Sequence, residues 1–300
     1  MIIVTGATGR LGARIVARLL EHVPAETVGV SVRDVAKAAH LAERGVRVRA
    51  GDFTDRAELD HAFEGADQVL VVSPSIRDPR EFARATRAGL DAAVRSGARR
   101  VLYTSHQMAS PSSLFAPGRN HAESEAYLAE RASAHGVTWT ALRHGFYASA
   151  FELIVPAALQ SGELRLPADG PVSWTAHDDL AAADAAVLAD PGPLDGATPP
   201  LVGAELLDFA DVARIVGELT GSPVERVVVA DDEWKAEALE GGMPAGVAEF
   251  TLGMFRASRA GENAVTGPAL QGLIGRPATP ARAVLAGILN RSLSADGVTA

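Results

Sequence analysis

Three glycines at a spacing of three, in the stretch Gly6-Ala7-Thr8-Gly9-Arg10-Leu11-Gly12, constrain the fold of this chain more than any other feature. Before them, Ile2, Ile3, Val4 and Thr5 form a contiguous apolar or β-branched run, the pattern of a strand buried on both faces. After them, Leu11, Ile15, Leu19 and Leu20 recur at helical spacing. The glycines therefore sit on a strand-to-helix turn. A turn without β-carbons lets backbone N–H groups approach a pyrophosphate, and the helix N-terminus adds partial positive charge. Glycines also make plain tight turns, but this position favours a dinucleotide site contacted by Gly6, Thr8, Gly9, Arg10, Leu11 and Gly12.

The same alternation continues through the first half of the chain. Strands are predicted over 28–32, 46–49, 69–72, 100–104 and 138–142, and helices over 35–44, 56–63, 79–96 and 122–135. Such a rhythm predicts an α/β fold, a Rossmann-type doubly wound parallel sheet covered by helices on both faces. The punctuation agrees: Asp34 and either Thr54 or Asp55 stand at helix starts, and Gly45, Gly97 and Gly136 at helix ends. Beyond residue 150 the rhythm weakens. An extended segment in "SGELRLPADGPVSW" precedes a helix capped by Asp178 or Asp179, and "PGPLDGATPP" is a Pro/Gly-rich connection. Helices are predicted over 208–220, 232–239 and 280–289. The expected organisation is a dinucleotide-binding domain over 1–150, to which the chain returns around 173–203, and a smaller, mostly helical substrate lobe over 151–300.

A chain of 300 residues and net charge −9 is long enough for a sizeable core, and carries no general attraction for phosphate backbones or anionic lipid. No direct nucleic-acid or membrane partner is expected. Cysteine is absent, so disulfides and thiolate chemistry are excluded. A strand starting at Ile2 leaves no signal peptide, and no apolar run approaches the roughly 20 residues of a bilayer span. The expected location is the cytoplasm.

The second strand ends in "VSVRDVAK". At this point a site for NAD calls for a carboxylate on the ribose, and one for NADP a cation on the 2′-phosphate. Arg33 through its planar fork, Lys37 one helical turn on, and Arg10 as a third cation favour NADPH. The alternative leaves Arg33 in solvent and gives the ribose to Asp34.

"TGATGRLG", "VRDVAK", "GDFTD", "VVSP", "YTS", "LRHGFY" and the late "GRPATP" stand in order along nearly the whole chain. In these motifs it resembles the NmrA-like atypical short-chain dehydrogenases/reductases, and within them the bacterial type 2 NAD(P)H:quinone oxidoreductases. The resemblance implies Asp52 and Phe53 beside the adenine, Val72, Ser73 and Pro74 along the adenosine and ribose, and Thr104 and Ser105 near the nicotinamide. It brings Phe146 and Tyr147 toward nicotinamide or substrate, and it admits a homodimer.

Typical members of the wider superfamily use Tyr-x-x-x-Lys, whose lysine lowers the phenol pKa for proton donation. The only lysines here, Lys37 and Lys235, have Arg33 and Asp231 four residues earlier, so the dyad is absent. Tyr127 with Arg131 has the spacing but not the chemistry. His121 and Glu125 share a helix face, so the carboxylate is placed either to orient the imidazole and raise its pKa or to form an exposed pair. His144 is expected to face the cleft, where the resembled enzymes carry Asn; His106 and His177 read as solvated strand-end residues. The candidate catalytic set is His121, His144 and Ser105, and no metal site is expected. Without a strong acid, the acceptor must tolerate negative charge, as quinones and conjugated enones do. Two further readings remain open: a non-catalytic NADP(H)-sensing regulator acting through a protein partner, and a pathway-specific reductase or isomerase of secondary metabolism.

Overall fold

The computed structural model describes residues 1–190, 192 and 194–296, with side chains as far as Arg291. Pro191 and Pro193 of the Pro/Gly-rich connection lie outside the described residues. In chain order the elements are β1 (Ile2–Thr5), α1 (Arg10–Leu19), β2 (Val28–Val32), α2 (Ala39–Ala42), β3 (Arg47–Ala50), α3 (Arg56–Ala62), β4 (Gln68–Val71), α4 (Pro79–Arg95), β5 (Arg100–His106), α5 (Ala116–His135), β6 (Thr138–His144) and β7 (Phe146–Tyr147). They continue with α6 (Phe151–Ser161), β8 (Glu163–Pro167), β9 (Trp174–Thr175), α7 (His177–Ala189), β10 (Gly196–Ala197), α8 (Phe209–Thr220), β11 (Glu225–Val229), α9 (Asp231–Glu240), α10 (Ala245–Arg259), α11 (Ala269–Ile274) and α12 (Ala281–Asp296).

Seven strands form one sheet in the order β10-β6-β5-β4-β1-β2-β3, each pairing parallel. The order reverses at β1, which opens a crevice at the strand C-termini between β1 and β4. Side-chain alternation explains why these strands read as continuous apolar runs. Val4, Leu70, Leu102 and Leu142 face a core shared with α1, α7 and α11. Ile3, Val69, Val71, Val101 and Tyr103 face the opposite core, filled by α3, α4 and α5.

After β6 the chain builds a second core, in which Phe151, Val155, Trp174, Phe209, Phe255 and Leu285 are buried. Two short parallel pairs, β8 with β11 and β7 with β9, support it. Between them α7 packs beside α1, and β10 adds to β6 at the pair Gly196 and Thr140. No helix of the described residues is long and apolar enough to cross a membrane.

Several predicted elements differ. Residues 35–44 hold a 3₁₀ turn over Val35–Ala38 followed by the four-residue α2. Asp34 does cap it, accepting from Ala36 N at 3.1 Å, and Asp55 rather than Thr54 caps α3, accepting from Glu58 N at 3.0 Å. Helix α5 starts at Ala116, not Ala122, because Pro117 fits a first helical turn. Neither Asp178 nor Asp179 caps α7, whose N-cap is Ala176. Asp178 pairs with Arg14 at 2.8 Å, while the fully buried Asp179 accepts from Thr279 N at 2.6 Å and pairs with Arg276, pinning the "GRPATP" segment. Helices α6, α10 and α11 were not anticipated. Pro156 reads as a breaker in α6, Gly246, Thr251 and Gly253 depress the propensity of α10, and α11 has six residues.

Candidate active site

The glycine turn is built as its spacing demands. Gly6 adopts φ +62°, a left-handed conformation suited to glycine, and donates its N–H to Ser31 O at 3.0 Å. A β-carbon on Gly12 would lie 2.3 Å from Gly6 O, so α1 packs directly on the turn. Gly9 is the N-cap of α1, with no capping side chain and no acidic residue in the first turn. The first N–H groups of α1 are thus left without a competing carboxylate in the first turn, and the cradle fits a dinucleotide pyrophosphate.

At the end of β2, Arg33 is exposed and makes no hydrogen bond or ion pair among the described residues, although its charge reaches Asp52. Asp34 is engaged: besides capping the 3₁₀ turn, it pairs with Lys37 at 3.8 Å. Arg10 is not a third cation at this end. It reaches across to Glu152 in the first turn of α6 at 2.7 Å, and Arg291 joins the same carboxylate at 3.0 Å. Its partner belongs to α6, whose Phe151 and Val155 are part of the second core.

Asp52 makes a local turn, accepting from Thr54 N and Thr54 Oγ1, both at 2.7 Å, and these bonds hold its carboxyl below the usual range. Phe53 packs on α4 so closely that a β-carbon on Gly89 would sit 2.7 Å from its ring. Val72 N donates to Thr5 Oγ1 at 2.9 Å, and Ser73 N donates to Thr104 Oγ1 at 2.8 Å, so the Val72-Ser73-Pro74 loop is moored to β1 and β5.

Of the candidate catalytic residues, Ser105 and His144 lie at the ends of β5 and β6 and His121 on α5, and each meets a different partner from the one expected. Ser105 Oγ donates to Glu125 Oε1 at 2.6 Å, and Arg143 forms a two-point pair with the same carboxylate at 2.9 and 2.6 Å. Glu125 therefore neither orients nor charges His121. His121 is buried, not part of an exposed pair, and its Nδ1 lies 2.7 Å from Tyr103 Oη. Burial, with His106 and His144 nearby, lowers its pKa well below the usual value instead of raising it.

His144 does not face the cleft. Alternation along β6 puts it on the Leu142 side, where α7 covers it; it is 1% exposed and its Nε2 lies 2.9 Å from Asp184 Oδ1. Its Nδ1 and Asp184 Oδ2 are buried with no partner among the described residues. Phe146 and Tyr147 are half-buried. The Phe146 ring stands edge-on to His106 at 5.9 Å, and Tyr147 lies 4.3 Å from the His177 ring. Burial followed by the Asp184 charge pushes the Tyr147 phenol up, and burial does the same to Tyr103. Tyr127 and Arg131 both bind Asp91 of α4, at 2.9 Å each, which ties α5 to α4 away from the crevice.

Sequence reasoning missed three contributors. Asp184 was legible as the one acid within "LAAADAAVL", since a charge amid a buried alanine run needs a partner. His106 is not a solvated loop residue: its depth, then His144, lowers its pKa to about 4. Glu262 accepts from Ser113 Oγ at 2.6 Å and Leu114 N at 2.8 Å, holding the loop after β5 against the end of α10. No local signal marks it.

The sequence profile described as the NmrA-like family matches residues 1–270. The chain is 31% identical over 282 residues to quinone oxidoreductase 2 of Escherichia coli (strain K12), covering 93% of this chain and 95% of that one. It is 32% identical over 250 residues to the NAD(P)H azoreductase of Xenophilus azovorans, covering 83% and 84% respectively. Among solved structures, the Citrobacter sp. triphenylmethane reductase complexed with NADP(H) superposes with a TM-score of 0.89 at 30% identity, over 96% of this chain and 100% of that one.

Proposed function

Given that the chain belongs to the NmrA-like family, we propose that it is an NADPH-dependent oxidoreductase that reduces a quinone-like or other conjugated small-molecule acceptor. When bound, NADPH supplies a hydride from its nicotinamide. Gly6, Thr8, Gly9, Leu11 and Gly12 would hold the pyrophosphate, and Arg33, with Lys37 beside it, the 2′-phosphate. Asp52, Phe53, Val72, Ser73 and Pro74 would line the adenosine, with Thr104 and Ser105 at the nicotinamide end. In this reading Arg10 anchors the lobe through Glu152 and leaves the phosphates to the backbone.

The observation that carries the proposal is a wall of neutral histidines and aromatic rings where the acceptor would lie. His106 and His121 stack at 6.0 Å, and Phe115 and Phe146 stand 6.1 and 5.9 Å from His106. Both histidines have lowered pKa values, so neither is an imidazolium at pH 7. A site of this kind offers hydrogen bonds to a developing oxyanion but no strong acid. Resonance-stabilised phenolates fit it, whereas the alkoxide of a saturated alcohol does not. The names of the similar quinone, azo and triphenylmethane reductases support the same acceptor chemistry. His144, joined to Asp184, would act from behind the acceptor wall as a support for β6.

The test is NADPH oxidation at 340 nm by the purified protein with a panel of quinones and azo dyes, and with NADH as control. Quinone-dependent oxidation that prefers NADPH is expected. Tight NADPH binding without turnover on any acceptor would overturn the proposal in favour of an NADP(H) sensor acting through a protein partner. Turnover confined to one non-quinone substrate would point to a pathway-specific reductase.

A further inference from the structure

We infer that the Nε2–H group of His106 is the hydrogen-bond donor that receives the carbonyl oxygen of the acceptor. This inference rests on the proposed reductase reading. His106 is the last residue of β5, in register with His144 at the end of β6. The chain then turns back on itself: Ala109 N donates to His106 O at 2.9 Å, and Met108 N donates to His106 Nδ1 at 3.1 Å. An N–H aimed at Nδ1 requires a lone pair there, so the neutral ring carries its single proton on Nε2. The tautomer is thus set by the backbone.

Nε2 meets no partner among the described residues, and the half-buried ring is not sealed by protein as His144 is. Around it stand Phe146 at 89° and 5.9 Å, Phe115 at 60° and 6.1 Å, and the stacked His121 at 6.0 Å. Edge and face contacts of this kind suit a flat conjugated ring, with one fixed donor for its oxygen. The titratable groups facing His106 are His121 from α5 and His144 from β6, with Tyr103 behind His121. Among the described residues no carboxylate meets it directly.

In the reaction, two electrons leave NADPH with the hydride and reduce the acceptor, giving NADP⁺. The oxyanion so formed stays on Nε2–H and takes its proton from solvent, so His106 keeps its own proton through the turnover. A neutral donor does not titrate near neutrality. The contribution of His106 is therefore flat from about pH 5 to 9, whereas an imidazolium acid would lose activity as pH rises through roughly 6.5.

The experiment compares wild type, His106→Phe and His106→Gln with 1,4-naphthoquinone as acceptor. Phe keeps the ring volume without a donor, and Gln reaches the Nε2 position with an N–H. The His106→Phe substitution should lower kcat/KM on the order of 10²-fold with NADPH affinity unchanged, and His106→Gln should restore most of it. Long-range ¹H–¹⁵N correlation of the imidazoles should show the Nε2–H form of His106, and 1-naphthol added to the NADP⁺-loaded protein should shift that signal. An active wild type whose His106→Phe variant is equally active, or an Nδ1–H tautomer, overturns the inference. An inactive wild type overturns the proposed function instead. The naphthol titration then decides the inference by itself: a shifted Nε2–H supports it and an unshifted one overturns it.

Discussion

Arg33 shows how much one side chain can decide. It stands exposed at the tip of β2 without a protein partner among the described residues, while Asp34 beside it is engaged by Ala36 N and Lys37. A planar guanidinium in that position pairs with a phosphate through charge and two-point hydrogen bonds, whereas a neutral ribose hydroxyl offers it a single uncharged acceptor. Replacing Arg33 with Ala should weaken NADPH binding by about 1.5–3 kcal/mol, roughly ten- to a hundredfold, and leave NADH nearly unaffected. Calorimetric titration with the two cofactors reads this directly, and equal losses would return Arg33 to a solvent role. Arg10 carries the same charge in the glycine turn but is claimed by Glu152. Residue type was legible for both arginines; that Glu152 takes Arg10 and that Arg33 is left without a protein partner among the described residues was not.

At the scale of elements, β6 and α7 are joined by a buried polar pair inside an otherwise apolar contact. His144 and Asp184 lie 1% and 0% exposed, each with one polar atom lacking a partner among the described residues. Removing Asp184 leaves the His144 ring with no partner in a site closed to water, and such a loss costs about 1–3 kcal/mol. Asp184→Ala should lower the unfolding free energy by that amount in a denaturant titration. The His144→Leu/Asp184→Ala double variant should lose less than the sum of the singles, because no orphaned group remains. Additive losses would show that the two side chains do not form a unit. The loop after β5 follows the same rule of distant partners: Glu262 holds it from a position 149 residues beyond Ser113.

For the whole molecule, the histidines make acid stability a readout of the fold. His106 and His177 each fall from 6.5 to about 4, chiefly through burial, and His121 moves in the same direction. Between about pH 6.5 and 4 the unfolded chain binds protons that the folded chain refuses. Their contribution is therefore fully present above 6.5 and is lost as pH falls toward 4. The melting temperature should decline from pH 7 to pH 5 in a thermal scan, and His106→Gln should decline less steeply; a flat wild-type profile would mean that these rings are solvated. Much of the architecture was legible because it rests on short-range patterns: contiguous apolar strands, the cap Asp34 and a cap at Thr54 or Asp55, and glycines whose missing β-carbons the turns require. The helices α6 and α10 escaped because Pro156, Gly246 and Gly253 oppose helix locally, and packing around Phe151 and Phe255 overrides that preference. Sequence alone thus determined the Rossmann-type sheet, its glycine turn and the list of polar residues at the strand ends, since each depends on neighbours within a few positions. Only the tertiary structure decided that Glu125 serves Arg143, that His144 turns to Asp184, and that Met108 N reaches His106 Nδ1. Those outcomes depend on which strand face a helix covers and which backbone group a turn brings back, and no local pattern encodes either.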